Sequence, residues 1–256
     1  MKILIIGGTR RCGPYLVEEL LDRGHSVVCY HRGQHNVSFS NWAEHIHGDR
    51  RDYAEFKKQM AEVKADVVID MMAGDDKDVQ AVVETFSGRI QRYICISSYE
   101  VYEAFEAAWN HTPSYQPVPI PEDAPKRKQL HLYGHERRYD KIVVEKEAMD
   151  AHERGDFPVT VLRWPALYGR RDTTPRAWYY VKQALDGRKQ IAVPNGGQAL
   201  FPRGYFENMA YTVVLAVENQ AASGQVYNAA DAEALSLRQI VGMIGEIMGH
   251  PWEIIP

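Results

Sequence analysis

Residues Lys2 to Gly13 read KILIIGGTRRCG, and this stretch decides the fold of the chain. Ile3 to Ile6 form a short aliphatic run bounded by glycine, which is typical of a central parallel strand buried on both faces. Pro14 suits the first position of a helix, and Gly24 suits the residue just after its end. The order is therefore strand, glycine turn, helix.

The glycine turn in this order predicts a binding site for a nucleotide. Gly7 and Gly13 let the backbone pass close to a diphosphate, and free amides at the helix start favour an anion. A second hydrophobic run, Ser26 to Tyr30, follows at the distance that a β-α-β unit requires. This context favours nucleotide binding over a tight turn without a ligand.

The end of the second run indicates which dinucleotide is bound. The chain turns at His31, Arg32 and Gly33, where nucleotide-binding folds place the residue that reads the adenosine ribose. An acidic residue there would accept hydrogen bonds from a 2′-hydroxyl, but this chain has histidine and arginine. With Arg10 and Arg11 in the first turn, the sequence favours the 2′-phosphate of NADP over NAD, although solvated arginines would give the same pattern.

The composition excludes several classes of protein. The chain has 256 residues and a formal net charge of -4, so it can bury a large core and has no bulk attraction for nucleic acid or an anionic membrane. No apolar stretch reaches the ~20 residues of a membrane span. Cys12, Cys29 and Cys95 are widely spaced, which predicts no metal site and suits a reducing compartment. Because the first residues also lack a signal-peptide pattern, we expect a cytoplasmic protein.

Strand and helix patterns continue to alternate through the N-terminal part. Strands are indicated at residues 45–47, 66–72, 92–97 and 157–163, with amphipathic helices between them. A long helix is expected from about His135 to Arg154. This alternation predicts a doubly wound parallel sheet of the α/β class.

The remaining segments predict a second, smaller lobe. Residues 110–129 hold five prolines and no periodicity, which predicts a long irregular segment over the mouth of the sheet. Beyond residue 163 the composition becomes aromatic and glycine-rich, while a helix at 205–218 and a strand at 225–228 are expected to return to the main sheet. The predicted domains are a dinucleotide-binding domain (1–163 and about 204–230) and a substrate lobe (about 164–203 and 231–256).

These motifs, in this order, resemble those of the extended short-chain dehydrogenase/reductases. The chain is similar in particular to the NAD-dependent epimerase/dehydratase group and its atypical members whose first turn reads GGTR. The matching residues are Gly7-Gly8-Thr9-Arg10 with Gly13, Gly48-Asp49, Ser97-Ser98, Val101-Tyr102, Lys141, Glu145, Arg163, Pro165, Tyr168-Gly169 and Val226-Tyr227-Asn228. The resemblance implies a Rossmann fold and hydride transfer at a nicotinamide, by an oxidoreductase, epimerase or dehydratase acting on a small hydroxyl or carbonyl substrate such as a sugar derivative.

The resemblance also implies a tyrosine acid or base, a lysine that lowers its pKa, and a serine hydroxyl at the substrate oxygen. Ser98 and Lys141 match the serine and the lysine. The family motif is Tyr-x-x-x-Lys, yet Arg137 stands four residues before the lysine. We choose Tyr133, either displaced by an inserted turn or paired with Arg137. Tyr139 is a poorer choice because it lies about 200 degrees from the lysine on an ideal helix, and a chain without this tyrosine is the remaining alternative.

The expected cofactor contacts follow the order of the chain. The phosphates are assigned to Gly7, Thr9, Arg10, Arg11, Cys12 and Gly13, the 2′-phosphate to Arg32, the adenine to Asp49 and Arg50, the ribose to Met71, Met72 and Ala73, and the nicotinamide side to Lys141, Pro165 and Leu167. Glu100 stands where sugar dehydratases carry a catalytic acid, but Tyr99 replaces the acid that precedes it there.

A different class of function stays open. The chain could be a non-catalytic dinucleotide-binding protein, either a redox sensor or an RNA-associated relative similar to the chloroplast stem-loop-binding proteins. The arginine at the tyrosine position favours this alternative, whereas the net negative charge disfavours RNA. The expected partners are a small-molecule substrate and a second copy of the chain, which would meet through the helices at 79–86 and 142–149.

Overall fold

The computed structural model describes residues 1–35, 43–155, 157–170, 172–174 and 176–255. The strands in this part of the chain are β1 (Lys2–Ile6), β2 (Ser26–His31), β3 (Glu44–His47), β4 (Val67–Asp70), β5 (Arg92–Ser98), β6 (Val159–Trp164), β7 (Ala166–Tyr168), β8 (Gln190–Ala192), β9 (Leu200–Phe201), β10 (Arg203–Tyr205), β11 (Gln225–Asn228), β12 (Leu235–Ser236) and β13 (Glu253–Ile255). The α-helices are α1 (Gly13–Asp22), α2 (Tyr53–Ala61), α3 (Asp76–Phe86), α4 (Glu103–Trp109), α5 (Lys141–Glu153), α6 (Trp178–Leu185), α7 (Phe206–Glu218) and α8 (Leu237–Ile247).

A sheet of seven strands in the order β11-β6-β5-β4-β1-β2-β3 forms the centre of the molecule. Every pairing in it is parallel. Strand β1 lies between β2 and β4, and its residues Ile3 to Ile6 are almost fully buried. The predicted doubly wound α/β fold is confirmed, because helices and apolar clusters cover both faces of this sheet.

The strand order reverses beside β1, and this places a crevice at the carboxyl edge of the sheet. The Gly7 amide donates to the Tyr30 carbonyl at 2.9 Å, and the Met71 amide donates to the Ile6 carbonyl at 3.1 Å. The chain segments that leave β1, β2 and β4 therefore begin side by side. In open α/β sheets, this switch point is where ligands bind.

The helix predicted from about His135 is shorter than expected, and that prediction is wrong at its start. A single 3-10 turn spans His135–Arg137, and Arg138 has a φ of 48°, in the left-handed region that interrupts a helix. Helix α5 begins at Lys141, because the Asp140 carboxylate accepts the Ile142 amide at 2.8 Å as its N-cap. Asp140 is also buried against Arg127 at 2.5 Å, which fixes the helix start.

The segment between residues 110 and 129 is irregular, as predicted. Among the described residues, its only regular secondary structure is an isolated β-bridge from Lys126 to Tyr102. Beyond β6, three short strand pairs (β7 with β10, β8 with β13, β9 with β12) accompany α6 and α8. Ile191, Val193 and Val241 form a separate apolar cluster there.

The chain then returns to the main sheet, as predicted. Helix α7 contributes Phe206, Met209 and Val213 to the core under the sheet, and β11 pairs with β6 at its edge. The domain boundaries given above stay a prediction, and their last residue, Pro256, lies outside the described residues. Within the described residues, no helix has the length and apolar character needed to cross a membrane.

Candidate active site

The glycine turn (residues 7–13) has a backbone that only glycine accommodates at its key positions. Gly7 and Gly8 have φ angles of 104° and 84°, which other residues rarely adopt. A Cβ added at Gly13 would overlap backbone atoms of Gly8, so the turn and the helix start are in direct contact. A Cβ at Gly7 would lie 2.9 Å from Cγ of Met72, which places both residues in the same crevice.

Helix α1 begins at this turn without a side-chain cap. Cys12 occupies the N-cap position and makes no capping hydrogen bond, and Pro14 lies in the first helical turn. The positive dipole end of this helix therefore has no side-chain cap, which favours an anion there. Thr9, Arg10 and Arg11 are not buried, and the Arg11 guanidinium donates to Thr174 Oγ1 at 3.1 Å. The turn fits the diphosphate of a dinucleotide.

The predicted adenosine contacts lie at the ends of β2, β3 and β4. His31 directly follows Tyr30, whose carbonyl holds the Gly7 amide, and Arg32 is exposed beside it. Asp49 is exposed, but the buried Arg50 donates to Asp70 at 2.6 Å and to the carbonyl of Asp78 at 2.7 Å. Because these bonds hold the Arg50 guanidinium inside the protein, its side chain supports the crevice.

The residues predicted to contact the ribose follow β4, on the other side of the switch point. Met71 is half-buried, Met72 is 55% exposed and Ala73 is buried. The Met72 amide donates to Asp70 Oδ1 at 2.9 Å. The Asp70 carboxylate therefore orients both this turn and the Arg50 guanidinium. In the sequence, the signal for this turn is an aspartate, Asp70, at the end of a buried strand.

Lys141 is buried at the point where β4 and β5 end. Its ammonium donates to the carbonyls of Ala73 at 2.6 Å and Ile96 at 2.8 Å, which uses two of its three hydrogens. Burial lowers the pKa of Lys141. The ammonium also lies 5.5 Å from the ring centre of Tyr139. The predicted lysine therefore lies at the carboxyl edge of the sheet, on the same side of the crevice as Ala73.

Ser98 ends β5 and is half-buried, and its hydroxyl accepts the Glu100 amide at 3.3 Å. The neighbouring Ser97 hydroxyl is buried and donates to Glu145 at 2.6 Å, so it is used inside the protein. Of the serine pair, Ser98 is thus the one whose hydroxyl lies at the sheet edge, as the resemblance implied.

Tyr133 contacts a carboxylate instead of the lysine. Its hydroxyl donates to Glu100 Oε2 at 3.0 Å, and Glu100 is only 6% exposed. Burial and the Glu100 charge raise the pKa of Tyr133 above its ordinary value, and burial raises the pKa of Glu100. The expected lowering of the tyrosine pKa by a lysine is therefore wrong for Tyr133. We call Ser98, Glu100, Tyr133 and Lys141 the acid-base cluster.

The helical argument against Tyr139 is also wrong, because Tyr139 precedes α5 and does not lie on that helix. Its ring centre lies 5.9 Å from that of Tyr133, and the residue is half-buried. Burial, followed by the Glu100 charge, raises the pKa of Tyr139. Arg137, at the motif position, is exposed, and its guanidinium lies 5.8 Å from the ring centre of Tyr133.

A buried ion network holds α5 against the sheet. Glu145 lies one turn after Lys141 and pairs with Arg163 through two bonds of 2.8 Å. Lys126 donates to the same carboxylate at 2.8 Å. Burial alone would raise the pKa of Glu145, but Arg163 and Lys126 hold it below its ordinary value. Since Glu145 and Lys141 share one helix, this network fixes the position of the lysine.

Two arginines, Arg203 and Arg176, lie beside β7 and near Tyr99. Arg203, on β10, pairs in register with Ala166, next to buried Pro165 and half-buried Leu167. Its Nε is buried without a hydrogen-bond partner. Arg176 donates to the Leu167 carbonyl at 3.1 Å, and both arginines act on the pKa of Tyr99, which burial raises. No spacing in the sequence pointed to them.

The parallel sheet, the glycine turn and the lysine at the same edge define a Rossmann-type protein of the short-chain dehydrogenase/reductase class. The chain belongs to the NAD dependent epimerase/dehydratase family, whose model matches residues 3–230.

Solved structures of this class have the same fold. The dTDP-glucose 4,6-dehydratase of Bacillus anthracis, in complex with NAD, is 15% identical with a TM-score of 0.77, covering 100% of this chain and 84% of its own. The UDP-glucose 4-epimerase of Thermotoga maritima, with UDP-glucose, is 16% identical with a TM-score of 0.75, covering 100% and 86%. The UDP-glucuronic acid 4-epimerase of Bacillus cereus, with UDP-glucuronic acid and NAD, is 20% identical with a TM-score of 0.73, covering 100% and 85%. At this identity the likeness shows the fold alone.

A curated relative has a different name. The chloroplast stem-loop binding protein of 41 kDa b from Arabidopsis thaliana is 25% identical over 98% of this chain. The chain spans 64% of that relative's length.

Proposed function

We propose that this protein is a nicotinamide-dinucleotide-dependent enzyme that acts on a sugar nucleotide by epimerisation or dehydration, with NADP as the preferred dinucleotide. The observation that carries the proposal is the position of the buried Lys141 ammonium at the same sheet edge as the uncapped N-terminus of α1. A dinucleotide whose diphosphate lies at the glycine turn has its nicotinamide directed along that edge. A bound dinucleotide would supply the chemistry of accepting a hydride and returning it.

The protein residues hold the dinucleotide from both sides. Gly7, Gly13, Thr9, Arg10 and Arg11 contact the phosphates, and the turn at residues 71–73 flanks a ribose. Lys141 holds the nicotinamide ribose with its remaining hydrogen, and Pro165 and Leu167 pack against the ring. Asp49 lies on the adenine side with Arg32 at the ribose. The preference for NADP is supported by the absence of a carboxylate at His31 and Arg32.

The acid-base cluster moves the proton. Ser98 donates to the substrate oxygen, and Tyr133 exchanges a proton with that oxygen. The hydrogen bond from the Tyr133 hydroxyl to Glu100 lets the carboxylate take up the phenolic proton in the same step, so no free phenolate is required. This arrangement replaces the lysine-assisted tyrosine that the family motif implies, and a carboxyl group at this place also suits dehydration.

The arginines of the substrate side suit a substrate that carries a diphosphate. Arg203 and Arg176 lie near Tyr99, and Arg176 donates to the Leu167 carbonyl. Two guanidinium groups complement a diphosphate well, because each can donate in a bidentate way. The related solved structures that hold UDP-sugars support this substrate class.

The first experiment is a titration of the purified protein with NADPH and NADH, followed by nicotinamide fluorescence. UDP-glucose, UDP-glucuronic acid and dTDP-glucose are then offered in turn, and the products are separated by chromatography. Tight binding of NADPH with conversion of one sugar nucleotide supports the proposal. Failure of both dinucleotides to bind would overturn it.

Lys141→Met tests the role of the lysine. We expect turnover to fall at least about a hundredfold, because the ammonium that holds the ribose is lost. Lys146→Met on the same helix is the matched control, since Lys146 is exposed and pairs only with Asp150 among its described contacts. Full activity of Lys141→Met, with Lys146→Met also active, would contradict the assignment.

A second candidate function is RNA-associated and non-catalytic. It is supported by the similarity to the stem-loop binding protein and by Arg137 at the place of the family tyrosine. The net charge of -4 opposes it, because RNA affinity needs a concentrated basic surface. A gel-shift assay with a stem-loop RNA at rising salt separates the two. Salt-sensitive RNA binding without turnover of any sugar nucleotide would favour this candidate.

The assembly and the compartment are further parts of the proposal. We propose a homodimer through α3 and α5, on which Val83, Val143 and Met149 are half-buried. Three buried free cysteines support a reducing compartment, for which we propose the cytoplasm. The two-lobe division with substrate between the lobes is proposed with the boundaries given above.

A further inference from the structure

Lys141 occupies the first position of α5, so the residues before it decide where its ammonium lies. The first amides of a helix have no partner within the helix. Three residues earlier, Arg138 has a φ of 48°, in the left-handed region, so no helical turn leads into the lysine. The contacts of residues 138–140 with the rest of the protein therefore replace that turn.

Residues 138–141 contact residues 73–75 in reverse order. Three hydrogen bonds join them: from Lys141 Nζ to the Ala73 carbonyl at 2.6 Å, from the Asp140 amide to the Gly74 carbonyl at 2.7 Å, and from Arg138 Nε to Asp75 Oδ2 at 2.8 Å. A Cβ added at Gly74 would lie 2.9 Å from the carbonyl oxygen of Arg138, so the two backbones also touch. We call the paired segments 138–141 and 73–75 the clasp. It joins the lysine to the turn that follows β4.

Arg138 reaches this turn by a second route. Its guanidinium also donates to the Tyr53 hydroxyl, which in turn donates to Asp78 Oδ1 at 3.2 Å. The other oxygen of Asp78 accepts the Gly74 amide at 2.7 Å. Asp75 and Asp78 are both buried, which strengthens hydrogen bonds to their carboxylates. Arg138 therefore holds Asp75 directly and Gly74 through two intermediate side chains.

We propose that Arg138 is a positioning residue for the nicotinamide half of the dinucleotide. The inference rests on the proposed dinucleotide binding, in which the turn at residues 71–73 flanks a ribose and Lys141 holds the nicotinamide ribose. Arg138 acts through the clasp, which fixes the spacing between that turn and the Lys141 ammonium. Contacts that are fixed before binding lose less entropy than contacts that must be ordered by the ligand, so the clasp raises affinity for the whole dinucleotide.

Arg138→Met is the first variant of the test. Methionine has an unbranched stem like that of arginine, so the left-handed backbone is not strained further. Arg50 pairs with Asp78 at 3.2 Å, and that carboxylate keeps a cation when the Arg138 guanidinium is removed. We therefore expect the variant to fold, which a thermal melt checks.

The measurement compares whole dinucleotides with their adenosine halves. Dissociation constants of the full-length protein for NADPH and NADH are measured by nicotinamide fluorescence. Those for adenosine 2′,5′-bisphosphate and ADP, which lack the nicotinamide ribose, are measured by calorimetry. A positioning role at Lys141 weakens the dinucleotides alone, whereas a general disturbance of the crevice weakens both kinds of ligand.

We expect the dissociation constant for the preferred dinucleotide to rise about tenfold in Arg138→Met, and that for the matching adenosine half to change less than about twofold. Arg138→Lys should recover part of the loss, because an ammonium still pairs with Asp75. Arg154→Met is the matched control, since Arg154 is exposed at the other end of α5. It should bind all four ligands as the wild type does.

Asp75→Asn tests whether the arginine acts through the clasp. Asparagine still caps α3, because its side-chain oxygen can accept the Asp78 amide that Asp75 Oδ1 accepts at 3.1 Å. We expect this variant to weaken dinucleotide binding selectively as well. The double variant with Arg138→Met should bind no more weakly than Arg138→Met alone, since both changes break one interaction.

Three results would overturn the inference while leaving dinucleotide binding intact. They are unchanged affinities in Arg138→Met, equal weakening of dinucleotides and adenosine halves, and losses that add in the double variant. If Arg138→Met proves unfolded in the thermal melt, Asp75→Asn decides the inference by the same comparison. Failure of the wild-type protein to bind either dinucleotide would overturn the inference and the proposed function together.

Discussion

The glycine turn and the acid-base cluster lie on the same sheet edge but are built by different means. The turn is defined by the backbone: Gly7 and Gly8 have positive φ angles, and Gly13 touches Gly8 directly. The cluster is defined by buried charges, which come from a strand end, an irregular segment and the start of a helix. A backbone site tolerates few residue types, whereas a charge network can be rebuilt from other residues that reach the same place.

The largest effect is expected where the charge network is broken. Glu145→Gln removes the carboxylate that pairs with Arg163 and Lys126, and leaves the buried guanidinium uncompensated. We expect a loss of about 3–5 kcal/mol in the free energy of unfolding, measured by urea denaturation. Because its pKa is held low, the stabilisation by Glu145 is present above its ordinary pKa and is lost as pH falls below that range.

Glu147→Gln is the control for this change, since Glu147 lies on the same helix and only accepts from Gln80 at 3.3 Å in the described structure. A stability of Glu145→Gln equal to that of the control at neutral pH would show that the network does not hold α5.

Tyr133→Phe tests the acid-base cluster itself. The substitution removes the hydroxyl that donates to Glu100 but keeps the ring between Tyr139 and Trp109. We expect the turnover number to fall about a hundredfold with little change in dinucleotide affinity, because only proton transfer is affected. Tyr139→Phe gives the comparison. Loss of activity in Tyr139→Phe but not in Tyr133→Phe would move the acid-base role to Tyr139.

Gly13→Ala tests the glycine turn. The added methyl group would overlap the Gly8 backbone, so the turn must shift and its amides move away from the phosphates. We expect the dissociation constant for NADPH to rise about tenfold or more. Gly242→Ala in α8 is the control, because a Cβ there meets open space, and it should raise stability by about 0.5–1 kcal/mol without affecting binding.

The smallest effect concerns a helix start that has its own cap. Ser236 caps α8 in a complete capping box with Gln239, whereas α1 has no side-chain cap. Ser236→Ala should lower the free energy of unfolding by about 1 kcal/mol, and by the same amount with or without NADPH. A thermal melt with saturating NADPH checks this. A loss that depends on the ligand would link α8 to the binding site.

The sequence predicted the parts that are local. The strand, turn and helix at residues 2–22 follow from nearby residue types and are confirmed. The start of α5 was missed because Asp140 is fixed by Arg127, thirteen positions earlier. Local periodicity does not reveal such a pair.

The residues of the candidate site likewise divide into those that the sequence identified and those that distant contacts place there. Lys141 and Ser98 were identified by the resemblance to the family, and the structure places both at the sheet edge. The link between Tyr133 and Glu100 spans 33 positions and passes through an irregular segment, so no spacing rule predicts it. Arg203 was missed for the same reason, since its place beside Ala166 follows from the pairing of β10 with β7.

The return of α7 and β11 to the main sheet has a consequence for synthesis of the chain. Helix α7 supplies much of one face of the core, and β11 covers the outer edge of β6. Both come after the segment that contains α6 and β8–β10. Until residue 228 has been synthesised, one sheet face is therefore covered by α1 without α7 and the edge of β6 is open, so the unfinished chain is prone to association through that edge.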